Sequence, residues 1–229
     1  MIRPVDAHTC KRIRQRQEIR TLTQAQRESF FHAIRYLQSG PKPTRYDKQV
    51  PRLSQRFVER HYHARVSAHG WPWFLTWHRA FIREFEASLQ EVDPDIMLPY
   101  WDWSYDSQAP ELSPVFRSGW FGGNGRPSDG CVADGHFASW RPAYPEPHCL
   151  RRKWNQGDTI SAFHPPETLE VLVRNATHFE QFRTKLEAPT HGQVHNSIGG
   201  DMPSMYSPNE YVRWCIVPGK ENACTIGGD

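Results

Sequence analysis

Residues 68–86 read AHGWPWFLTWHRAFIREFE. From His78 onward, Phe81, Ile82, Phe85, Leu89 and Val92 fall at helical spacing, and Asp93-Pro94 closes the pattern because a residue before proline is pushed out of the helical region. The run predicts a core helix with His78 at its start. Upstream, Leu53, Phe57 and His61 recur at i, i+4 and i+8, so a second helix would point His61 in the same direction as its apolar anchors. His63 lies about 200° round that helix from His61 and reads as exposed.

Further from this centre, Thr23-Gln24-Ala25-Gln26 reads as a capping box, followed by Phe30, Ile34 and Leu37 at helical spacing and a stop at Gly40-Pro41. A second capping box at Thr177 to Glu180 predicts a helix containing Phe182 and Leu186. A short helix carrying His191 and His195 is expected after Pro189. Between about Pro99 and Asp158 the chain is rich in Gly, Pro, Asp and Trp without sustained periodicity, which reads as long ordered loops. The expected fold is mainly α, a helical bundle with long ordered loops. The 229 residues suit one domain over residues 1–229.

Hydrophobic residues make up 38% and charged residues 23%, as in ordinary globular proteins, but 9 Trp, 12 Phe and 8 Tyr predict a ring-rich core. Trp71, Trp73, Trp77, Trp101 and Trp103 are read as part of that packing. The formal charge is +3, and much of the excess sits in Lys11, Arg12, Arg14, Arg16 and Arg20. Such a run could meet nucleic acid or acidic lipid; the plainer reading, adopted here, is the solvated face of a first segment. No apolar stretch approaches the roughly 20 residues needed to cross a bilayer, and MIRPVDAHTC has no apolar core of a secretory signal. Neither a nucleic-acid partner nor a membrane span is expected. Five cysteines (Cys10, Cys131, Cys149, Cys215, Cys224) include no CxxC pair, which argues against a thiolate zinc site. Cys131 and Cys149 bracket one loop and are a plausible disulfide.

Twelve histidines need an explanation. His61, His69 and His78 stand on a helix, a loop and the next helix, where one metal ion would give several buried rings a common partner. His191 and His195, at i and i+4, are neighbours on one helix face and can reach one ion together. No Glu follows the first of them, so the metalloprotease HExxH arrangement is absent. An all-imidazole ligand set suits copper at least as well as zinc, and two such groups in one bundle point to a metal pair.

With these residues in place, Ala68 to Glu86 resembles the copper A signature of the tyrosinase, catechol oxidase and haemocyanin family of type 3 copper proteins. LPYWDWS (Leu98 to Ser104) is similar to a second hallmark, and KLEAPTHGQVHNSIGGDM (Lys185 to Met202) to the start of the copper B region. RQEIRTLTQAQRESFFHAIRYL is similar to the lead-in helix of invertebrate tyrosinase-like proteins, so the resemblance covers roughly residues 10 to 208.

The resemblance implies two copper ions, copper A held by His61, His69 and His78 and copper B by His191, His195 and a third histidine. In the family that third ligand lies in a segment resembling SPxDPxFxxHHxxxDxxW, on the fourth helix of the bundle. Here Ser207-Pro208-Asn209-Glu210 opens the segment and YVRWCIVPGKENACTIGGD follows without a histidine. The domain is therefore expected to be incomplete after about residue 210, with the fourth bundle helix missing. Glu187 matches the position at which the family holds a water near the copper pair; the alternative is a surface helix carboxylate. Gly192 stands where efficient monophenol hydroxylators often carry Asn, which tilts the reading toward diphenols. Ser67 replaces the cysteine that some members link to a ligand histidine. His136, His148, His164 and His178 match no ligand position.

The implied activity is oxidation of an o-diphenol to an o-quinone with O2, preceded in true tyrosinases by hydroxylation of a monophenol, with impaired activity in this chain. The alternatives are a haemocyanin-like O2-binding protein and a non-catalytic copper-binding fragment. The partners implied are a phenolic small molecule and O2, and family resemblance implies a secreted parent protein. The oligomeric state is not legible.

Overall fold

The computed structural model describes residues 12–39, 53–215 and 222–225. Its architecture is mainly α with long ordered loops, as the periodicity predicts. In chain order, β1 (Arg12–Gln15) is followed by α1 (Gln24–Ser39), α2 (Leu53–His63), α3 (Arg65–Ala68), α4 (Phe74–Val92), α5 (Pro166–Asn175), α6 (Phe179–Lys185), α7 (Gly192–Ile198) and β2 (Asn222–Thr225). The two strands pair antiparallel, with Arg12 opposite Thr225 and Gln15 opposite Asn222.

The capping box at the head of α1 is reciprocal. Gln26 N donates to Thr23 Oγ1 at 3.2 Å, and Thr23 N donates to Gln26 Oε1 at 2.9 Å. Gly40-Pro41, the expected stop, lies outside the described residues. Phe30, Phe31, Ile34 and Leu37 of α1, Phe57 of α2, and Phe81, Ile82, Phe85 and Leu89 of α4 are buried in one core with Val194 and Ile198 of α7. The aromatic count was a good guide to that core. It was a poor guide to individual rings: Trp101 and Trp103 are buried, but Trp71 and Trp73 stack on each other at the surface, 49% and 48% exposed. They occupy the turn before α4, where no second layer covers them.

Other expectations are corrected. The α4 helix begins at Phe74, so His78 sits one turn inside it rather than at its start. The α6 helix opens at Phe179, and its entry is held by Gln181, which accepts from Thr177 N and Oγ1, rather than by Glu180. The α5 helix has no capping signal beyond Pro166 in its first turn and buries no residue fully. Between α6 and α7, Leu186–His191 winds as a π-helix around Pro189, whose missing N–H excludes an ordinary i−4 bond.

Within the basic N-terminal run, of which Lys11 lies outside the described residues, Arg16 and Arg20 do not stand on a solvated face. Arg16 is buried and donates to both carboxylate oxygens of Glu86 on α4 at 2.9 and 3.0 Å, and Arg20 pairs with Glu18 and Asp106. Only the pairing of a guanidinium with two buried acceptors offsets the cost of its desolvation.

The loops between α4 and α5 contain the predicted disulfide Cys131–Cys149 and are pinned by Arg152, which is 0% exposed. Arg152 donates to Glu210 Oε2 and Oε1 at 2.9 and 3.0 Å and to the carbonyls of Phe121, Gly122 and Gly123. Residues 207–215, where the resemblance leads one to expect the start of a fourth bundle helix, form two short 3-10 segments, Ser207–Asn209 and Tyr211–Cys215.

Candidate metal centre

The α2, α4 and α7 helices, the loop between α3 and α4 and the π-helical turn Leu186–His191 carry the five predicted ligands, which fall in two groups. His61 is 1% exposed on the stripe begun by Phe57, His69 closes α3, and His78 lies one turn into α4. One ligand atom from each of these three rings falls within 4.8 Å of the others. Their ring centroids are 5.0 Å (His61–His69), 4.9 Å (His69–His78) and 5.7 Å (His61–His78) apart. His191 and His195 form a second group with centroids 4.3 Å apart, and Phe74 touches both His78 and His191. His63 points away and is exposed.

A common device orients all five rings. Each Nδ1 faces a backbone carbonyl: His61 that of Met205 (2.7 Å), His69 that of Arg65 (3.2 Å), His78 that of Phe74 (2.8 Å), His191 that of Glu187 (3.2 Å) and His195 that of Met202 (2.7 Å). A carbonyl only accepts, so Nδ1 carries the proton and each Nε2 keeps its lone pair as an acceptor, the tautomer a metal requires. Three of the carbonyls are the i−4 groups of the ring's own helical turn. The other two come from the turn after α7, which Gly199 and Gly200 make possible at φ 65° and 64°. A Cβ at Gly199 would stand 2.0 Å from the Lys153 carbonyl oxygen, so no other residue fits that turn.

The rings are neutral at ordinary pH. Burial lowers the pKa of all five, to about 2 for His78 and about 4 for His191, and the positive charge of Arg213 lowers each further. The buried Nε2 atoms of His78 and His195 have no hydrogen-bond partner. Orphaned lone pairs in a dry site are costly, and a thiophilic or borderline metal ion satisfies them. The donor set thus fits copper at His61, His69 and His78, and gives two ligands toward a second ion.

Glu187 lies in the π-helical turn. Its Oε1 accepts from Gly70 N at 2.7 Å, next to His69, and its Oε2 accepts from Arg183. Trp77 packs on His78 and stacks on Phe81, screening the first group from water. His136 stacks on Phe31 and His148 pairs with Asp201 at 3.1 Å; each has its own partner outside the five-ring set.

Sequence reasoning missed Arg213. It is 4% exposed, and its Nη2 donates to His61 Nε2 at 2.8 Å. One arginine in a tail of unfamiliar pattern carries no signal of where it will lie.

Residues 29–215 match the common central domain of tyrosinase. The chain is 30% identical to grixazone synthase of Streptomyces griseus over 86% of its own length and 79% of that protein's. It is 35% identical to a tyrosinase of Streptomyces antibioticus over 65% of its own length and 59% of that protein's. A variant of polyphenol oxidase from Thermothelomyces thermophila superposes with a TM-score of 0.71 at 24% identity, over 88% of this chain and 66% of that one, a likeness of fold.

Proposed function

The chain belongs to the tyrosinase family, and from that premise we propose that it is a copper-dependent phenol oxidase domain acting on o-diphenols with O2, impaired in the form described. The observation that carries the reading is the convergence of His61, His69 and His78, each with its Nδ1 tied to a carbonyl so that its Nε2 presents a lone pair toward the others. His61, His69 and His78 would hold copper A, and His191 and His195 two positions of copper B. Bound copper supplies the redox chemistry by which O2 oxidises phenols.

The protein's own residues do the rest. The five Nδ1–H bonds fix the tautomer and the direction of each ring. Phe74, Trp77 and Phe81 keep water from the first group. Glu187 is the candidate acidic residue of the site; its contact with Gly70 N gives it a positioning role, holding the His69 loop against the turn that bears His191. Gly192 leaves the entrance of α7 without a side chain, in keeping with diphenol rather than monophenol chemistry.

In this reading residues 1–229 form one domain, short of one copper B ligand after about residue 210. The disulfide suits an oxidising compartment, in line with a secreted parent protein. Buried Arg213 favours a second reading, a chain holding copper at the first triad alone or not at all. Metal analysis of the purified chain after copper loading, beside a His78→Ala variant, tests the proposal. Copper retained by the native chain and lost in the variant, with oxidation of a catechol above that of free copper, is the expected result. Retention unchanged by His78→Ala sinks it.

A further inference from the structure

We propose that Arg213 is an internal cation lodged against His61 of the first histidine group, so that residues 207–215 form a plug that must leave before copper can load. The inference rests on the reading of His61, His69 and His78 as copper ligands.

Both flanks of Arg213 are fixed by contacts that have nothing to do with a metal. On one side Glu210 is held by Arg152 and accepts from Val212 N at 3.2 Å, and Tyr211 packs on Phe137 with ring centroids 4.7 Å apart. On the other, Trp214 lies face to face with Phe85 at 3.9 Å, and the Cys215 carbonyl accepts from Trp101 N at 2.6 Å. The segment between these anchors carries the guanidinium into the site.

Once there, the guanidinium is poorly served. Its Nε is buried without a partner, and among the described residues no carboxylate forms an ion pair with it. A buried charge without an anion is unfavourable, so aromatic packing holds Arg213 in place against its own desolvation. Two facts make it an alternative to copper rather than a companion. The His61 Nε2 lone pair serves either an N–H donor or a metal ion. Two cations side by side in a site of low dielectric also repel strongly, and the charge of Arg213 acts on all five imidazoles.

The experiment uses the whole chain and two readouts besides turnover. Cu(I) is titrated against a chromogenic chelator for the native chain and for Arg213→Leu, which keeps an apolar stem, removes the charge and adds no copper ligand. Trypsin cleavage after Arg213 is followed by mass spectrometry with and without copper. The expected results are about tenfold or greater tightening of copper binding in Arg213→Leu, since the cost of displacing the plug is gone, and cleavage after Arg213 that speeds up when copper loads the native chain. Equal affinities, or an Arg213 bond equally protected with copper bound, overturn the plug. Copper bound by neither protein overturns the ligand reading and the plug with it. Should Arg213→Leu fail to fold, the tryptic readout on the native chain decides alone.

Discussion

Glu187 Oε1 accepts a hydrogen bond from Gly70 N at 2.7 Å across 117 positions of sequence, and this bond joins the loop bearing His69 to the turn bearing His191. Glu187→Ala removes it and leaves Arg183 without one of its acceptors. Groups that orient metal ligands typically account for 10–100-fold in metal affinity, so about a tenfold loss of copper affinity is expected for Glu187→Ala. Glu187→Gln retains an oxygen acceptor for Gly70 N and should lose less. Chelator competition on the two variants checks the order; equal affinities would remove the positioning role.

The Arg152–Glu210 pair is buried on both sides and anchors the loops to the segment after α7. Taking away one member leaves the other charged and dry, a change that costs about 3–5 kcal/mol. Glu210→Gln and Arg152→Met are each expected to destabilise the chain by that order in urea denaturation. The double variant should lose less than the sum of the two, because neither orphan charge then remains.

Much of this was legible because it is local. A capping box, a stripe at i, i+4 and i+8 and an i, i+4 histidine pair are set by helix geometry within a few residues, and α1, α2, His61 and the His191–His195 pair follow from them, whereas His69, on a loop, was reached through the family resemblance. What escaped depends on partners far along the chain. The burial of Arg16 is decided by Glu86, 70 residues away, and Arg152 answers to Glu210, 58 away. Trp71 and Trp73 share their composition with buried rings and differ only in what covers them. Arg213 sits beside His61 because Tyr211 and Trp214 find aromatic partners, and no spacing rule announces that.

His136 offers a pH test outside the metal centre. Its ring stacks on Phe31 at 4.3 Å and accepts at Nδ1 from Arg35, and burial lowers its pKa below the ordinary 6.5, with Arg35 adding to the effect and Glu28 opposing it. A folded pKa below the unfolded one means that the unfolded chain binds more protons in between. The neutral ring's contribution is thus complete above about pH 6.5 and is lost as pH falls through the lowered folded value. Phe in place of His136 keeps the stack and cannot titrate. Stability measured from neutral to acid pH should fall less steeply for His136→Phe than for the native chain, and parallel curves would show that this ring contributes nothing to acid sensitivity.

Trp214 separates stability from metal uptake. Its ring is 2% exposed, lies over Phe85 and Phe81 at 3.9 and 5.0 Å, and meets Phe57 edge-on at 5.6 Å. Truncation to Ala opens a cavity among three aromatic side chains, and such changes cost about 3–5 kcal/mol. The metal-free Trp214→Ala chain should therefore unfold at lower denaturant. The same contacts hold Arg213 against His61, so weakening them frees the segment to swing out, and copper should bind more tightly in the variant that is less stable without it. An ordinary core residue would move both quantities the same way, since a loosened scaffold also loosens its ligands. Denaturation of the metal-free chain together with chelator competition on the loaded one tells these apart: opposite signs support the anchoring role, and a joint loss would mean that Trp214 supports the fold without guarding the site.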